Sequence, residues 1–313
     1  MSVILVNYNT AHLLDELFST LARSQADLRV QVIVVDNASR DASSQMLRTK
    51  FPEVKLIEND VNTGFARAVN QALPHALGRY ILLLNTDAFV APDTLRRTIG
   101  FMDDHARCGV LGVKLVGRDG KLQPSCRYFP TPWNMFLSAT GFYRFFPGFR
   151  LVDNLAWDHA SVRECDWVPG CYYLVRREAI RDVGFLDPRF FLYYEEVDHC
   201  RAMRKAGWSV IYYPFTEVIH VGGESAGAET SLTKAGRQIP AFQIESELLY
   251  FRKHFGIVGL LAGVVLGVAA DFINACKGLV LHWDGSRALA AGRHVSALLY
   301  SLAATRLGSR PTR

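Results

Sequence analysis

The sequence predicts an α/β protein: a mostly parallel sheet sandwiched by helices, followed by an apolar and basic helical extension. Three observations carry this expectation. Short Val-, Ile- and Leu-rich runs alternate with helix-like stretches through the first 115 residues. These runs stop at uncharged or singly charged polar clusters, the mark of strands whose carboxyl ends face a ligand crevice. Residues 257–270 then form an apolar run that no strand or ordinary surface helix requires.

Taken in order, residues 3–6, 30–35, 54–57, 80–84 and 110–113 read as buried strands, and residues 12–24, 42–50, 65–77 and 92–103 as helices between them. Strand, helix, strand in this order means a parallel sheet covered on both faces. Asp119-Gly120 marks a hairpin, and the aromatic, Pro- and Gly-containing stretch from Lys114 to Trp167 reads as a mobile, partly apolar region. Regular structure resumes with a strand at 171–175, helices at 177–183 and 195–206, a strand at 208–213 and a helix over 240–255. The apolar run at 257–270 has 14 residues before Asp271, fewer than the roughly 18 to 20 of an ordinary transmembrane helix. It is open to three readings: a buried helix, an interfacial helix, or a span that continues past Asp271.

The chain has 313 residues, 50% hydrophobic and 21% charged, which excludes disordered, collagenous and low-complexity classes. Its formal charge of +5 is too small to argue for nucleic acid. The surplus sits at the end: residues 273–313 hold six basic side chains and one acid, Asp284. A basic flank on an apolar helix suits an anionic membrane surface. Six dispersed cysteines, with no CxxC pair and no zinc-like spacing, read as free thiols in a reducing compartment. The apolar start SVILVNYN has no basic region before it, so no secretory signal is expected and the catalytic part is placed in the cytoplasm.

Several residues are candidates for chemistry. Asn85-Thr86-Asp87 follows the apolar strand at 80–84; Asp87 is either a turn carboxylate or a hard oxygen ligand for Mg²⁺ or Mn²⁺. Asp36 either caps the next helix or bonds a nucleoside. Glu195, Glu196 and Asp198 open a helix behind the aromatic run at 190–194; they complement the helix dipole, or one serves as a general base raised by apolar neighbours. His220, after Val218-Ile219, is a structural histidine or a ligand. GxGxxG and GxxxxGK[ST] are absent, which disfavours dinucleotide-binding dehydrogenases and P-loop NTPases.

Read together, VNYN at 6–9, VVDNAS at 34–39, NTGFARAVN at 62–70, LLLNTD at 82–87, VPGCYYLVRREAI at 168–180 and GFLDPRFFLYYEEVDHCRAMRKAGW at 184–208, followed by His220, resemble the family 2 glycosyltransferases of the GT-A fold. The likeness is to the rhamnosyltransferase-like branch that builds bacterial cell-surface polysaccharides, and it covers residues 2–255. The resemblance implies inverting transfer from a nucleotide-diphosphate sugar, best matched to dTDP-rhamnose, onto a lipid-linked or polysaccharide acceptor. It implies donor contacts at Tyr8, Asn9, Asp36, Arg67 and Asn85, with Arg67 on the pyrophosphate. Asn85-Thr86-Asp87 stands in place of the family's Asp-X-Asp, leaving Asp87, with His220, to hold Mg²⁺ or Mn²⁺. Glu196 takes the position of the catalytic base, Glu195 precedes it, and Asp198, Trp167 and Gly170 are acceptor-side candidates. The chain then divides into a catalytic domain at 1–255 and a membrane-associating extension at 256–313, peripheral or monotopic at the inner face of the bacterial membrane. Alternatives are a UDP-sugar donor (galactofuranose, glucose or N-acetylhexosamine) on the same fold, or a silent nucleotide-binding scaffold.

Overall fold

A computed structural model describes residues 1–25, 28–146, 148–154, 157–222, 238–281 and 285–313. Its elements run β1 (Ser2–Asn7), α1 (Ala11–Gln25), β2 (Gln31–Asp36), α2 (Ser43–Lys50), β3 (Lys55–Glu58), α3 (Phe65–Ala72), β4 (Tyr80–Leu84), β5 (Ala88–Val90), α4 (Thr94–Asp104), β6 (Cys108–Val116) and β7 (Leu122–Gln123). There follow α5 (Pro132–Thr140), β8 (Arg163–Glu164), β9 (Tyr172–Arg176), α6 (Arg177–Val183), α7 (Glu195–Lys205), β10 (Ser209–His220), α8 (Gln238–Leu281) and α9 (Gly285–Ala304). Two compact units divide them: residues 1–127, 155–188 and 195–235 form one, and residues 128–154, 189–194 and 236–313 the other. The expected boundary at 255/256 therefore falls inside the second unit, because residues 236–255 associate with the helices that follow them.

The first unit is a mixed sheet in the order β3-β2-β1-β4-β9-β6-β10-β5, with β7 beside β6 and β8 beside β10. Neighbours β3, β2, β1 and β4 are parallel, as the alternating pattern predicts, whereas β9 runs antiparallel to β4 and β6, and β5 antiparallel to β10. Leu13, Leu14, Leu17 and Leu21 of α1 recur at helical spacing and are buried with Val3, Leu5, Val34, Leu82 and Leu174 of the sheet. Each such side chain removed from water contributes about 1.5–3 kcal/mol. All six cysteines are free thiols; five are buried and Cys276 is half-buried.

Where the structure departs from the sequence pattern, the causes are local. The helix expected over 65–77 gives way to a 3₁₀ turn at Leu73–His75, because Pro74 has no N–H to continue the α ladder. The strand expected at 208–213 continues to His220 through Pro214. Its pairing with β6 shifts register between Tyr213 and Glu217, which absorbs a residue that cannot donate to the ladder. The Asp119-Gly120 hairpin forms between β6 and β7, with Gly117 N–H bonded to the Lys121 carbonyl.

In the second unit, part of the stretch read as mobile is a capped helix. Thr131 Oγ1 accepts from Asn134 N–H, Asn134 Oδ1 accepts from Thr131 N–H, Pro132 stands in the first turn, and Gly141 closes α5 at φ 72°. Helix α8 contains both the expected helix at 240–255 and the apolar run, broken only at Gly256, whose φ of 68° is left-handed. Leu260 and Val264 of α8 are buried with Ile244, Leu248 and Leu298. Val258, Leu261, Val265, Phe272 and Leu279 lie exposed at three-, four- and seven-residue spacings, which align along one face. The window of highest mean hydropathy in Ala241–Val280 reaches 2.2, and only 17% of it is buried within the protein.

Candidate active site

Sheet topology gathers the predicted polar residues at one edge of the first unit. Because β1 and β2 are parallel and in register, Asn7 lies beside Asp36. Antiparallel β9 begins where β4 ends: Leu84 pairs with Tyr172, and Asn85 N–H bonds the Cys171 carbonyl. This puts Gly170 and Cys171 next to Asn85. On the far side, β10 pairs with β5 so that His220 faces Ala88, bringing the imidazole to Asp87. Residues far apart in sequence thus meet through strand register alone.

The donor side is a web of buried polar bonds. Asp36 is buried; its Oδ2 accepts from Asn7 Nδ2 at 2.7 Å and its Oδ1 from Ser39 N–H at 2.9 Å. Each oxygen keeps a second lone pair for a ligand. Thr10 Oγ1 bonds Asn7 Oδ1 and Thr86 Oγ1. Asn9, at φ 55°, donates its N–H to Ser39 Oγ and accepts at Oδ1 from Arg40 N–H at 2.6 Å, so it fastens the β1 and β2 loops together. Tyr8, between these residues, is half-buried. Ala38 is held at φ 69°, a conformation that costs a non-glycine residue roughly 1–2 kcal/mol and is fixed here by its bonded neighbours.

Asn37 links the next motif. Its Nδ2 donates to Asn62 Oδ1 at 2.8 Å, and its Oδ1 accepts from Thr63 N–H, Thr63 Oγ1 and Asn59 Nδ2. Asn62 Oδ1 also accepts from Gly64 N–H, and Gly64 adopts φ 85° to open α3. Arg67, half-buried in the first turn of α3, is carried by this latch. A helix start beside a cation is a ready anion site. Asn70 Nδ2 ties the other end of α3 to the Leu186 carbonyl at 2.7 Å.

Asp87 is buried, with Oδ2 accepting from Gly222 N–H at 3.1 Å, and its Oδ1 lies 3.6 Å from His220 Nε2. His220 Nδ1–H donates to Gln123 Oε1 at 2.8 Å, while Gln123 Nε2 returns a bond to the His220 carbonyl. That clamp leaves the Nε2 lone pair facing Asp87. Burial lowers the His220 pKa, against the pull of Asp87, which favours the neutral, metal-binding imidazole. The pair suits a hard divalent cation: one carboxylate oxygen and one oriented imidazole nitrogen, with an outer hydrogen-bond partner for each. Among the described residues no third His, Cys, Asp or Glu completes a protein cage.

Glu195 and Glu196 open α7, where adjacent side chains diverge by about 100°. Glu195 points inward and is buried; burial and the charge of Glu196 push its carboxyl well above the usual range. Glu196 is half-buried, also raised by burial, and drawn back by Arg127 and by the Gly170 and Val197 N–H groups. The Oε2 atoms of Glu195 and Glu196 have no hydrogen-bond partner among the described residues, a cost a folded protein keeps where a ligand supplies the missing bond. A methyl group built on Gly170 would come within 3.9 Å of Glu196 Oε1, so this glycine borders the Glu196 carboxyl directly. Trp167, nearly buried, carries the Arg127 guanidinium at 4.8 Å from its ring centre, and Arg127 Nε holds the Pro124 carbonyl. Asp198 is buried in the same first turn of α7.

Asn7, Asn37, Gln123 and Arg127 do most to position these groups, and sequence reading named none of them as a site residue. Asn7 and Asn37 were visible as asparagines ending apolar strands, a costly placement unless bonded. Gln123 and Arg127 follow a hairpin and carry no local signal.

Residues 2–157 match the family described as Glycosyl transferase family 2. An N-acetylglucosaminyl-diphospho-decaprenol L-rhamnosyltransferase from Mycobacterium tuberculosis is 27% identical over 255 residues, 73% of this chain and 78% of that protein. A poly(ribitol-phosphate) beta-N-acetylglucosaminyltransferase from Staphylococcus aureus is 30% identical over 42% of this chain and 23% of its own length. The mannosyltransferase of Pyrobaculum calidifontis, solved in complex with GDP-Man and Mn²⁺, shares the fold with a TM-score of 0.56 at 18% identity, covering 98% of this chain and 83% of that one.

Proposed function

From a chain that belongs to glycosyl transferase family 2 and so is a glycosyltransferase of GT-A fold, we propose inverting transfer of rhamnose from dTDP-rhamnose to a hydroxyl of a lipid-linked saccharide. The observation that carries this reading is the pairing, in one unit, of a raised Glu196 carboxyl whose Oε2 has no hydrogen-bond partner among the described residues with an oriented Asp87–His220 donor set. The sugar and acceptor are drawn from the rhamnosyltransferase relative, whose name specifies an N-acetylglucosaminyl-diphospho-decaprenol acceptor.

In this proposal Asp36 accepts from the donor base and Tyr8 lines the same cleft. Arg67 meets the pyrophosphate at the start of α3, and Asn85 borders the sugar. Asp87 and His220 hold Mg²⁺ or Mn²⁺, which supplies charge neutralisation to a departing diphosphate. Glu196 Oε2 takes the proton of the acceptor hydroxyl as it attacks the anomeric carbon. Glu195, buried and with its carboxyl pushed well above the usual range, braces the base. Trp167, Gly170 and Asp198 border the acceptor side.

The helical unit, with its outward apolar stripe on α8 and the basic residues of 273–313, holds the enzyme at the cytoplasmic membrane face, and the sheet unit acts as its catalytic part. The test is product formation from UDP, dTDP and GDP sugars with Mg²⁺ or Mn²⁺ and a diphospholipid saccharide in anionic vesicles. Transfer from dTDP-rhamnose and sedimentation with the vesicles are expected. Transfer from a UDP sugar alone would replace the rhamnosyl reading, and protein that stays in the supernatant would remove the membrane reading.

A further inference from the structure

The helical unit contains a cavity of about 290 Å³, near the lower end of small-molecule sites, roughly 300 Å³. Met135 and Phe136 of α5, Ile244 and Phe251 from the first half of α8, and Gly263 and Gly267 from its second half line it. The two glycines differ in purpose. A methyl group on Gly263 would stand 2.7 Å from the Phe251 ring, so that glycine is needed for packing, whereas one on Gly267 meets nothing closer than Leu298 at 3.7 Å. Gly267 therefore leaves space that the fold does not itself fill, in a helix where alanine would be more stable by roughly 1 kcal/mol.

The remaining lining residues decide what kind of ligand fits. Glu247, Asp271 and His294 also reach the cavity. His294 Nδ1–H donates to Asp271 Oδ2 at 2.6 Å, and this bond raises the histidine's pKa, so any positive charge on the imidazole is offset by the carboxylate beside it. Tyr194 donates to Glu247 Oε2 at 3.3 Å, and burial pushes the Glu247 carboxyl up to about 7. The wall thus presents no positive site for a phosphate and little fixed charge for a cation. What remains is a mostly apolar chamber edged by these groups and Gln243.

We infer that this cavity binds a segment of the hydrocarbon chain of the lipid-linked acceptor, through the Met135, Phe136, Ile244 and Phe251 walls and the space left at Gly267. The inference rests on the acceptor reading above and adds to it a chain-binding site in the helical unit. It requires the transferase to favour long-chain acceptors over short ones, since each buried methylene adds to affinity.

Gly267→Ala and Gly267→Leu fill the cavity by steps, with the melting temperature as the check on folding. For two acceptors with the same diphospho-saccharide, one on a polyprenyl chain and one on a short alkyl tail, the ratio of KM for the long over the short is expected to rise at least tenfold in Gly267→Leu and less in Gly267→Ala. A ratio unchanged in a folded Gly267→Leu protein overturns the inference. A second arm needs no transfer: a photoreactive polyprenyl phosphate is expected to label Met135 or Phe251, with labelling lost in Gly267→Leu and resistant to excess phospholipid. Labelling elsewhere, or labelling abolished by phospholipid alone, contradicts an acceptor-chain site. Absence of transfer by the wild type with chain labelling intact would instead remove the functional reading.

Discussion

Glu196→Gln is expected to lower kcat by about 10²–10⁴, the usual contribution of a positioned general base, while dTDP-sugar affinity stays within about twofold. The amide keeps the shape of the side chain and its bond from Gly170 N–H but has no basic oxygen. Glu196→Asp, which restores a carboxylate one methylene shorter, is expected to recover part of the rate. Calorimetry of donor binding beside transfer rates checks both. Loss of donor binding in a folded Glu196→Gln protein would place the residue in the donor site instead.

The same carboxyl sets the acid side of the pH profile. Burial raises the Glu196 pKa above its ordinary value, and a base works only when ionised. Activity is therefore full above that raised pKa and falls as pH drops through it, at higher pH than an exposed glutamate would give. Arg127, whose charge favours the ionised form, opposes this shift. An Arg127→Met variant moves the acid limb further up.

Asp87→Ala is expected to have the second large effect: loss of transfer by about 10²–10³, comparable with removal of one electrostatic stabiliser of a developing charge, together with weaker donor binding. Unlike Glu196→Gln, it removes metal dependence. Wild-type activity stripped by a chelator should return on adding Mn²⁺ or Mg²⁺, and Asp87→Ala activity should not respond. The structural reason is that Asp87 Oδ1 is the oxygen turned to His220 Nε2, its partner oxygen being committed to Gly222 N–H. A chelator-insensitive wild type, or an Asp87→Ala protein still activated by metal, would move the cation elsewhere.

The two variants separate because the site has two halves with different origins in the sequence. The Asp87 half was legible: a polar triplet ends an apolar strand, and strand ends at a sheet edge bind ligands. What periodicity does not contain is that β10 runs on through Pro214 and pairs with β5, which is how His220 reaches Asp87. Register between strands 130 residues apart is decided by tertiary packing. The Glu196 half was legible as residue types but not as an environment. Alternating apolar runs predicted β1 to β4 closely, yet gave no sign that β9 is antiparallel, the reversal that delivers Gly170 to Glu196.

Helix α5 shows the opposite case, a signal present but outweighed. Thr131, Pro132, Asn134 and Gly141 form a complete set of start and stop residues, and the aromatic content around them suggested a loose region instead. The Gly256 break in α8 coincides with the sequence boundary between helix and apolar run. Residues 236–255 nevertheless belong to the helical unit, since burial of Ile244 and Leu248 against Leu260 and Leu298 depends on contacts that composition does not reveal. The motifs around Asn7 and Asn37 were recognisable, but their purpose as hydrogen-bonded latches appears only when the β1, β2 and α3 loops are placed together.

The proposed single base on Glu196, with Glu195 buried beside it and its carboxyl pushed well above the usual range, calls for a single displacement and no covalent sugar–enzyme intermediate. The anomeric configuration of the transferred sugar, read by NMR of the isolated product against that of the nucleotide donor, tests this most directly. An inverted anomeric centre is the predicted result. A product that retains the donor's configuration would require a nucleophile on the enzyme and would contradict the roles assigned to both glutamates.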